Sequence, residues 1–213
     1  VVMRMEKPGM GDCTNLTPCG ELDFNTEKEA YLHALRQLKS YDFVDSSRVF
    51  IWGHSLGGVI APIIASEEKV KGIIVYGTTA KPWREYLLET FRFQYPILGM
   101  DYVDLENRMG DYYRINYELF LQKTEPSQVA KDSVLGEILR TQYLFDGQEG
   151  IFGRNYQTFT QIDDYNLPDH WRRANTNVLV FRADADIAAF SKADHQTIVD
   201  IVNHYHPGKA TFM

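Results

Sequence analysis

The run Ser47-Arg48-Val49-Phe50-Ile51-Trp52-Gly53-His54-Ser55-Leu56-Gly57-Gly58 constrains this chain more than any other stretch. An apolar strand, read over 47–52, meets Gly-x-Ser-x-Gly and passes directly into an apolar helix read over 56–65. A serine hydroxyl is a poor nucleophile until a base takes its proton, so it must be exposed and held still. A sharp strand-to-helix turn achieves both but crowds the backbone around the serine. Gly53 and Gly57 are expected to remove the two Cβ atoms that would clash there. The new helix also presents unpaired N–H groups, and that of Leu56 is placed to face a developing oxyanion. His54, as the immediate neighbour of Ser55, is expected to point away from it.

The rest of the chain alternates. Val1–Glu6 reads as a short strand, ended by the breaker cluster Lys7-Pro8-Gly9-Met10-Gly11-Asp12. Thr26-x-x-Glu29 reads as a capping box, followed by Ala30, Tyr31, Ala34, Leu35 and Leu38 at helical spacing. Pro62 falls inside the helix after Ser55 and is expected to bend or loosen it. Gly72–Gly77 and Asn177–Arg182 are nearly continuous apolar runs, the kind buried on both faces of a parallel sheet. A helix follows over Ser191 or Lys192 to Tyr205, and a last strand starts at Ala210. Strands alternating with helices imply βαβ units with right-handed crossovers. Residues 81–171 break that rhythm with aromatic-rich helical pieces, among them Trp83–Phe93 and Asp111–Gln122, and read as an insertion.

Composition narrows the partners. The net charge of -7 and the lack of any Lys/Arg run argue against nucleic acid or an anionic membrane. No apolar run approaches a membrane span. Cys13 and Cys19 share a Gly/Pro-rich loop, where a local disulfide is the favoured reading and two free thiols the alternative. No histidine pair lies near them, so they make a weak metal site.

The order strand, Gly-His-Ser-Leu-Gly-Gly, helix, strand, helical insertion, strand, acid resembles the α/β-hydrolase superfamily. Within it, Glu6–Cys13, Phe43-Val44-Asp45 and His54–Pro62 are similar to bacterial serine hydrolases of the prolyl-oligopeptidase-like and dienelactone-hydrolase-like groups. The resemblance implies an α/β fold, a mostly parallel doubly wound sheet with an inserted helical lid. Residues 1–80 would be the first part of the core, 81–171 the lid and 172–213 the second part. By the same resemblance Ser55 is the nucleophile and Leu56 N–H an oxyanion donor. The triad acid comes from Ala183-Asp184-Ala185-Asp186, where the family pattern is G-x-x-D. Asp186 matches that position and Asp184 is the fallback.

The base is harder to place, since the family sets its histidine after the last strand. His195, His204 and His206 follow Asp186 but belong to the preceding helix and its end, and read as surface or core residues. His33 and His170 precede the acid. In family order, Val1–Glu6 corresponds to the fourth strand, and the third is missing between it and the Ser55 strand. The resemblance therefore implies a portion of a longer protein, incomplete at both ends, with the histidine beyond this chain. The lid would cover Ser55. Most of its aromatics would serve its own core, with Trp83 the candidate to face substrate.

The expected activity is hydrolysis of a carboxylic ester, or of a peptide or amide, through a seryl acyl-enzyme. The substrate would be a small ester or short peptide. No cofactor or metal is implied, because side chains and backbone amides suffice. Two rivals remain: a non-catalytic binding module that keeps the elbow without a histidine, and an acyltransferase.

Overall fold

The computed structural model describes residues 2–13 and 17–213. Along the chain the helices are α1 (Phe24–Lys39), α2 (Leu56–Glu67), α3 (Trp83–Ile97), α4 (Tyr102–Asn116), α5 (Pro126–Val129), α6 (Ser133–Gln142), α7 (Tyr156–Asp164), α8 (Leu167–Ala174) and α9 (Lys192–Tyr205). The strands are β1 (Phe50–His54), β2 (Gly72–Tyr76), β3 (Gly150–Ile151), β4 (Arg154–Asn155), β5 (Asn177–Phe181) and β6 (Ala210–Phe212). Two compact units result. One holds Lys28–Pro82 and Asn166–Met213, and the other holds Arg4–Glu27 and Trp83–Tyr165.

The first unit is built on a parallel sheet in the order β1-β2-β5-β6. Each successive strand is added on the same side, so right-handed crossovers must all land on one face. They do: α2 packs on β1 and β2, α9 on β5 and β6, and α8 on both helices. The residues facing that layer, Gly53, Ile73, Val75, Val178 and Val180, are buried. On the opposite face Phe50 and Trp52 are 56% and 72% exposed, and Ile74, Tyr76, Leu179 and Phe181 are half-buried. β1 is paired on one edge only among the described residues. α2 is buried along Gly58–Ala65, as a helix apolar on all sides must be.

The second unit is helical apart from the small β3–β4 hairpin. Its centre is aromatic. Phe91 meets Tyr95, Tyr112 and Tyr143 at centroid distances of 5.3, 4.9 and 5.5 Å. Tyr143 donates to Asn116 Oδ1 (3.1 Å) and Tyr95 to Gln142 Oε1 (2.7 Å), so two of the buried hydroxyls are satisfied.

Several local expectations are corrected. No strand forms over residues 2–7, while Val1 lies outside the described residues. α1 starts at Phe24, not after Thr26. The Asp23 carboxylate accepts from Thr26 N–H (2.7 Å) and does the capping that Thr26 was expected to do. Pro62 lies inside α2, which runs from Leu56 to Glu67. The elbow strand begins three residues later than expected, as Ser46–Arg48 form a 3₁₀ turn held by Asp45. α4 spans Tyr102–Asn116 and continues into a π turn at Tyr117–Leu121, so Asp111 lies inside it. Cys13 and Cys19 are free thiols. Among the described residues no group of His, Cys, Asp and Glu has metal-site geometry, and no helix is long and apolar enough to cross a membrane.

Candidate active site

Ser55 sits between the last residue of β1 and the first of α2 with φ 53° and ψ -121°. A residue with a Cβ occupies that region only under compulsion, at a cost of about 1–3 kcal/mol. The compulsion is visible. Ser55 N–H donates to Tyr76 O at the end of β2 (3.0 Å), and Ser55 O accepts from Gly58 N–H (2.8 Å). A serine in this position of a helix usually caps it, but Ser55 makes no side-chain capping bond. Its hydroxyl is exposed and uncommitted among the described residues. The half-buried Leu56 opens α2, so its N–H is one of the groups a helix start leaves unpaired.

The glycines divide differently from expectation. A Cβ on Gly53 would lie 2.3 Å from Gly57 O and 2.8 Å from Gly58 N. One on Gly58 would lie 2.5 Å from the Thr78 side chain. One on Gly57 would meet nothing within 4 Å. The close approaches that need glycine are therefore at 53 and 58, and the clash expected at Gly57 is absent because its Cβ direction is open. Gly53→Ala should lower stability by at least about 2 kcal/mol, since rigid backbone must move. Gly57→Ala should be neutral or stabilising by up to about 1 kcal/mol, as Ala replaces Gly in a helix. Urea melts of the two variants check this, and equal losses would mean the crowding is misplaced.

His54 stacks on Tyr76 across the strand pair (5.0 Å, 18°), and Tyr76 stacks on Phe181 (5.1 Å, 24°). The imidazole thus belongs to an aromatic ladder on the uncovered sheet face. Gly77, with φ 59°, turns the chain out of β2 beside it. A Cβ there would be 3.1 Å from Asp186 Oδ2 and 3.7 Å from His54 Nε2, so both groups border the same corner.

The two aspartates after β5 differ in their surroundings. Asp184 is fully exposed and pairs with Arg182 (3.2 Å). Asp186 is half-buried, and its Oδ1 accepts from Ala188 N–H and Ala189 N–H at 2.9 and 2.8 Å. That anchors one oxygen and leaves Oδ2 directed at the Gly77 corner with no partner among the described residues. An oriented carboxylate with one free oxygen is what an acid partner of an imidazole requires.

The histidines are placed elsewhere. His195 is wholly buried, with Nδ1 2.8 Å from Ser191 O and Nε2 accepting from Thr78 N–H (3.4 Å). Both ring nitrogens are engaged by backbone, the pattern of a structural core histidine. His170 is buried against Ser66 (2.8 Å) and Arg173 (2.9 Å), where burial first and then the arginine charge push its pKa down. His206 contacts Arg172 O, and His33 and His204 are exposed. Sequence reading missed the pair Lys81–Asp194 (2.9 Å), which with Thr79 holds the chain leaving β2 against α9. Ser191-x-x-Asp194 was the available signal, since Ser191 Oγ caps α9 at Asp194 N–H.

Trp83, in the helical unit, stacks on Phe159 (5.1 Å) and lines a cavity of about 430 Å³ with Tyr86, Phe91, Tyr95 and Phe152. Its indole Nε1 is buried and has no partner among the described residues.

No family model matches this chain. It is 26% identical over 171 residues to esterase EstD of Thermotoga maritima, covering 73% of this chain and 39% of the esterase. The chain therefore spans about two-fifths of that relative's length. Among solved structures, an α/β-fold hydrolase of Bacillus anthracis is similar at TM-score 0.48 and 18% identity, over 90% of this chain and 65% of that one. The monoacylglycerol lipase of Paleococcus ferrophilus is similar at TM-score 0.46 and 14% identity, over 91% and 65%.

Proposed function

We propose that this chain, whose core has the α/β-hydrolase fold, carries the nucleophile and the acid of a serine hydrolase that cleaves carboxylic esters. The observation that carries the reading is the backbone of Ser55, held at φ 53° with its hydroxyl free of the helix it precedes. Strain of this kind persists where the surrounding structure over-determines it, and that happens at functional sites. In the proposed cycle Ser55 Oγ attacks the acyl carbonyl while a histidine takes its proton. Leu56 N–H donates to the oxyanion, the alcohol leaves with the proton, and water then releases the acid by the same steps reversed. Asp186 orients the histidine through Oδ2.

None of the six histidines of the sequence has the place of that base, so we assign it to a segment outside these 213 residues. The esterase relative favours ester over peptide.

The test is covalent labelling of the full-length protein with a fluorophosphonate, read by intact mass and by mapping the modified peptide. Stoichiometric modification at Ser55 is the expected result. A folded protein that takes up no label would overturn the hydrolase reading in favour of a binding module. Product analysis with added alcohol or thiol acceptors separates hydrolase from acyltransferase.

A further inference from the structure

The parallel strands enter the sheet at one end and leave it at the other. Ser55, Gly77 and Asp186 belong to the exit end. The entrance end holds a cavity of about 740 Å³ whose walls are the residues just ahead of each strand. Ser46 and Ser47 precede β1, Lys69–Lys71 precede β2, Asn175 and Thr176 precede β5, and Lys209 precedes β6. A five-residue strand spans about 16 Å, so this cavity is separate from the elbow.

Its charge is unusual for the molecule. The chain has a net charge of -7, yet Lys39, Lys69, Lys71 and Lys209 line this one concavity against a single carboxylate, Glu68. Glu68 is already neutralised by Lys39 Nζ (2.7 Å) and Arg36 Nε (3.5 Å). The hydrogen bond from Lys39 holds its carboxyl below the usual range. Among the described residues Lys69, Lys71 and Lys209 have no ion-pair partner. The Ser46 hydroxyl and the Asn175 amide are likewise uncommitted. The floor is closed, with Val70 and Thr176 buried and the Thr176 hydroxyl donating to Val70 O (2.9 Å). Three unbalanced ammonium groups above low-dielectric walls focus positive potential into the hollow.

We propose that this cavity binds a compact, multiply charged phosphate, an inorganic or organic diphosphate or longer. Lysine ammoniums are point charges with three donors each, suited to the densely packed oxygens of such an anion. The adjacent hydroxyl and amide supply neutral donors. The site is independent of the chemistry assigned to Ser55.

Calorimetric titration with inorganic pyrophosphate at low salt tests it. Saturable one-to-one binding that weakens as salt rises is the expected result. Lys69→Gln, Lys71→Gln and Lys209→Gln should each weaken it by about two- to fivefold, and the triple variant by at least about tenfold. All three side chains are exposed, so the variants should keep the parent's melting temperature. Lys131→Gln, in the other unit, should leave the affinity unchanged. Absence of saturable binding overturns the proposal, as does a triple variant that binds like the parent. A triple variant that loses stability while the parent binds nothing would show that the lysines only offset helix C-termini. Co-sedimentation with phosphatidylcholine vesicles, with and without phosphatidic acid, separates the sources. Sedimentation competed by pyrophosphate points to a lipid phosphate, and binding of pyrophosphate alone points to a free one. Sedimentation that pyrophosphate does not compete places the lipid contact outside the cavity, and it overturns the proposal where calorimetry also shows no saturable pyrophosphate binding.

Discussion

Ser55→Ala should lower ester turnover by the full-length protein at least about 10⁴-fold, with stability unchanged. The alanine keeps the Cβ, so it inherits the φ of 53° and the strain that goes with it. Ser55→Gly removes the Cβ and should be just as inactive yet more stable, by about 1 kcal/mol or more. For a chain of this size each kcal/mol moves the melting temperature by about 2–4 °C. A melting point for the glycine variant above both parent and alanine variant would show that the strained backbone is held for function at a cost in stability. If Ser55→Ala retains turnover, Ser55 is not the nucleophile. If glycine and alanine variants melt together, the elbow is not strained.

Glu27→Ala is expected to be the most destabilising single substitution in the helical unit, at about 3–5 kcal/mol. The Glu27 side chain is wholly buried and pairs with Lys7 (2.8 Å) and with Arg154. Taking a carboxylate out of water is costly, and two cations make it tolerable. Removing it leaves Lys7 and Arg154, themselves mostly buried, without their partner. Replacing all three by apolar residues of similar size should recover much of the loss, because the penalty lies in unpaired charge.

The same group predicts acid sensitivity. Burial by itself would raise the Glu27 carboxyl, but hydrogen bonds from Lys7 and Arg154 outweigh it and hold the carboxyl below 4.5. A depressed folded value means the stabilisation is fully present above the unfolded value, about 4.3–4.5. It is lost as pH falls through the lowered folded value. Urea melts at neutral and acid pH should therefore converge for parent and variant as acid is added. A neutral-pH difference below about 1 kcal/mol would show that the triad contributes little.

Glu27 also shows where local reading stops. It occupies the same helical face as Phe24, Tyr31 and Leu38, so a charge at a core position was visible in the sequence. Its partners were not, since Arg154 is far along the chain and Lys7 sits in a loop of glycines and a proline. The capping error at Thr26 has a similar cause. Asp23 and Thr26 both suit a helix start, and Asp23 is favoured by its bond with Gln161, which only the folded chain brings near (3.4 Å). Gly57 was misjudged because the pattern Gly-x-Ser-x-Gly names two glycines, while the clash depends on where each Cβ points.

What the sequence determined alone is the local alternation: apolar strands, a helix after Ser55, and a sharp turn between them that few residues can make. Those features depend on side-chain period and on the backbone range of glycine, both of which act within a few residues. Hence the parallel sheet and the position of the elbow were readable in advance. Tertiary structure alone decided which aspartate after β5 keeps a free oxygen, which histidines are engaged by backbone, and that the entrances of β2 and β6 bring together lysines with no ion-pair partner among the described residues. Those outcomes depend on groups far apart in the chain meeting in space, where a neighbour's charge or carbonyl changes what a residue can do. A single chain order does not encode that meeting locally; packing of the sheet and its helices imposes it.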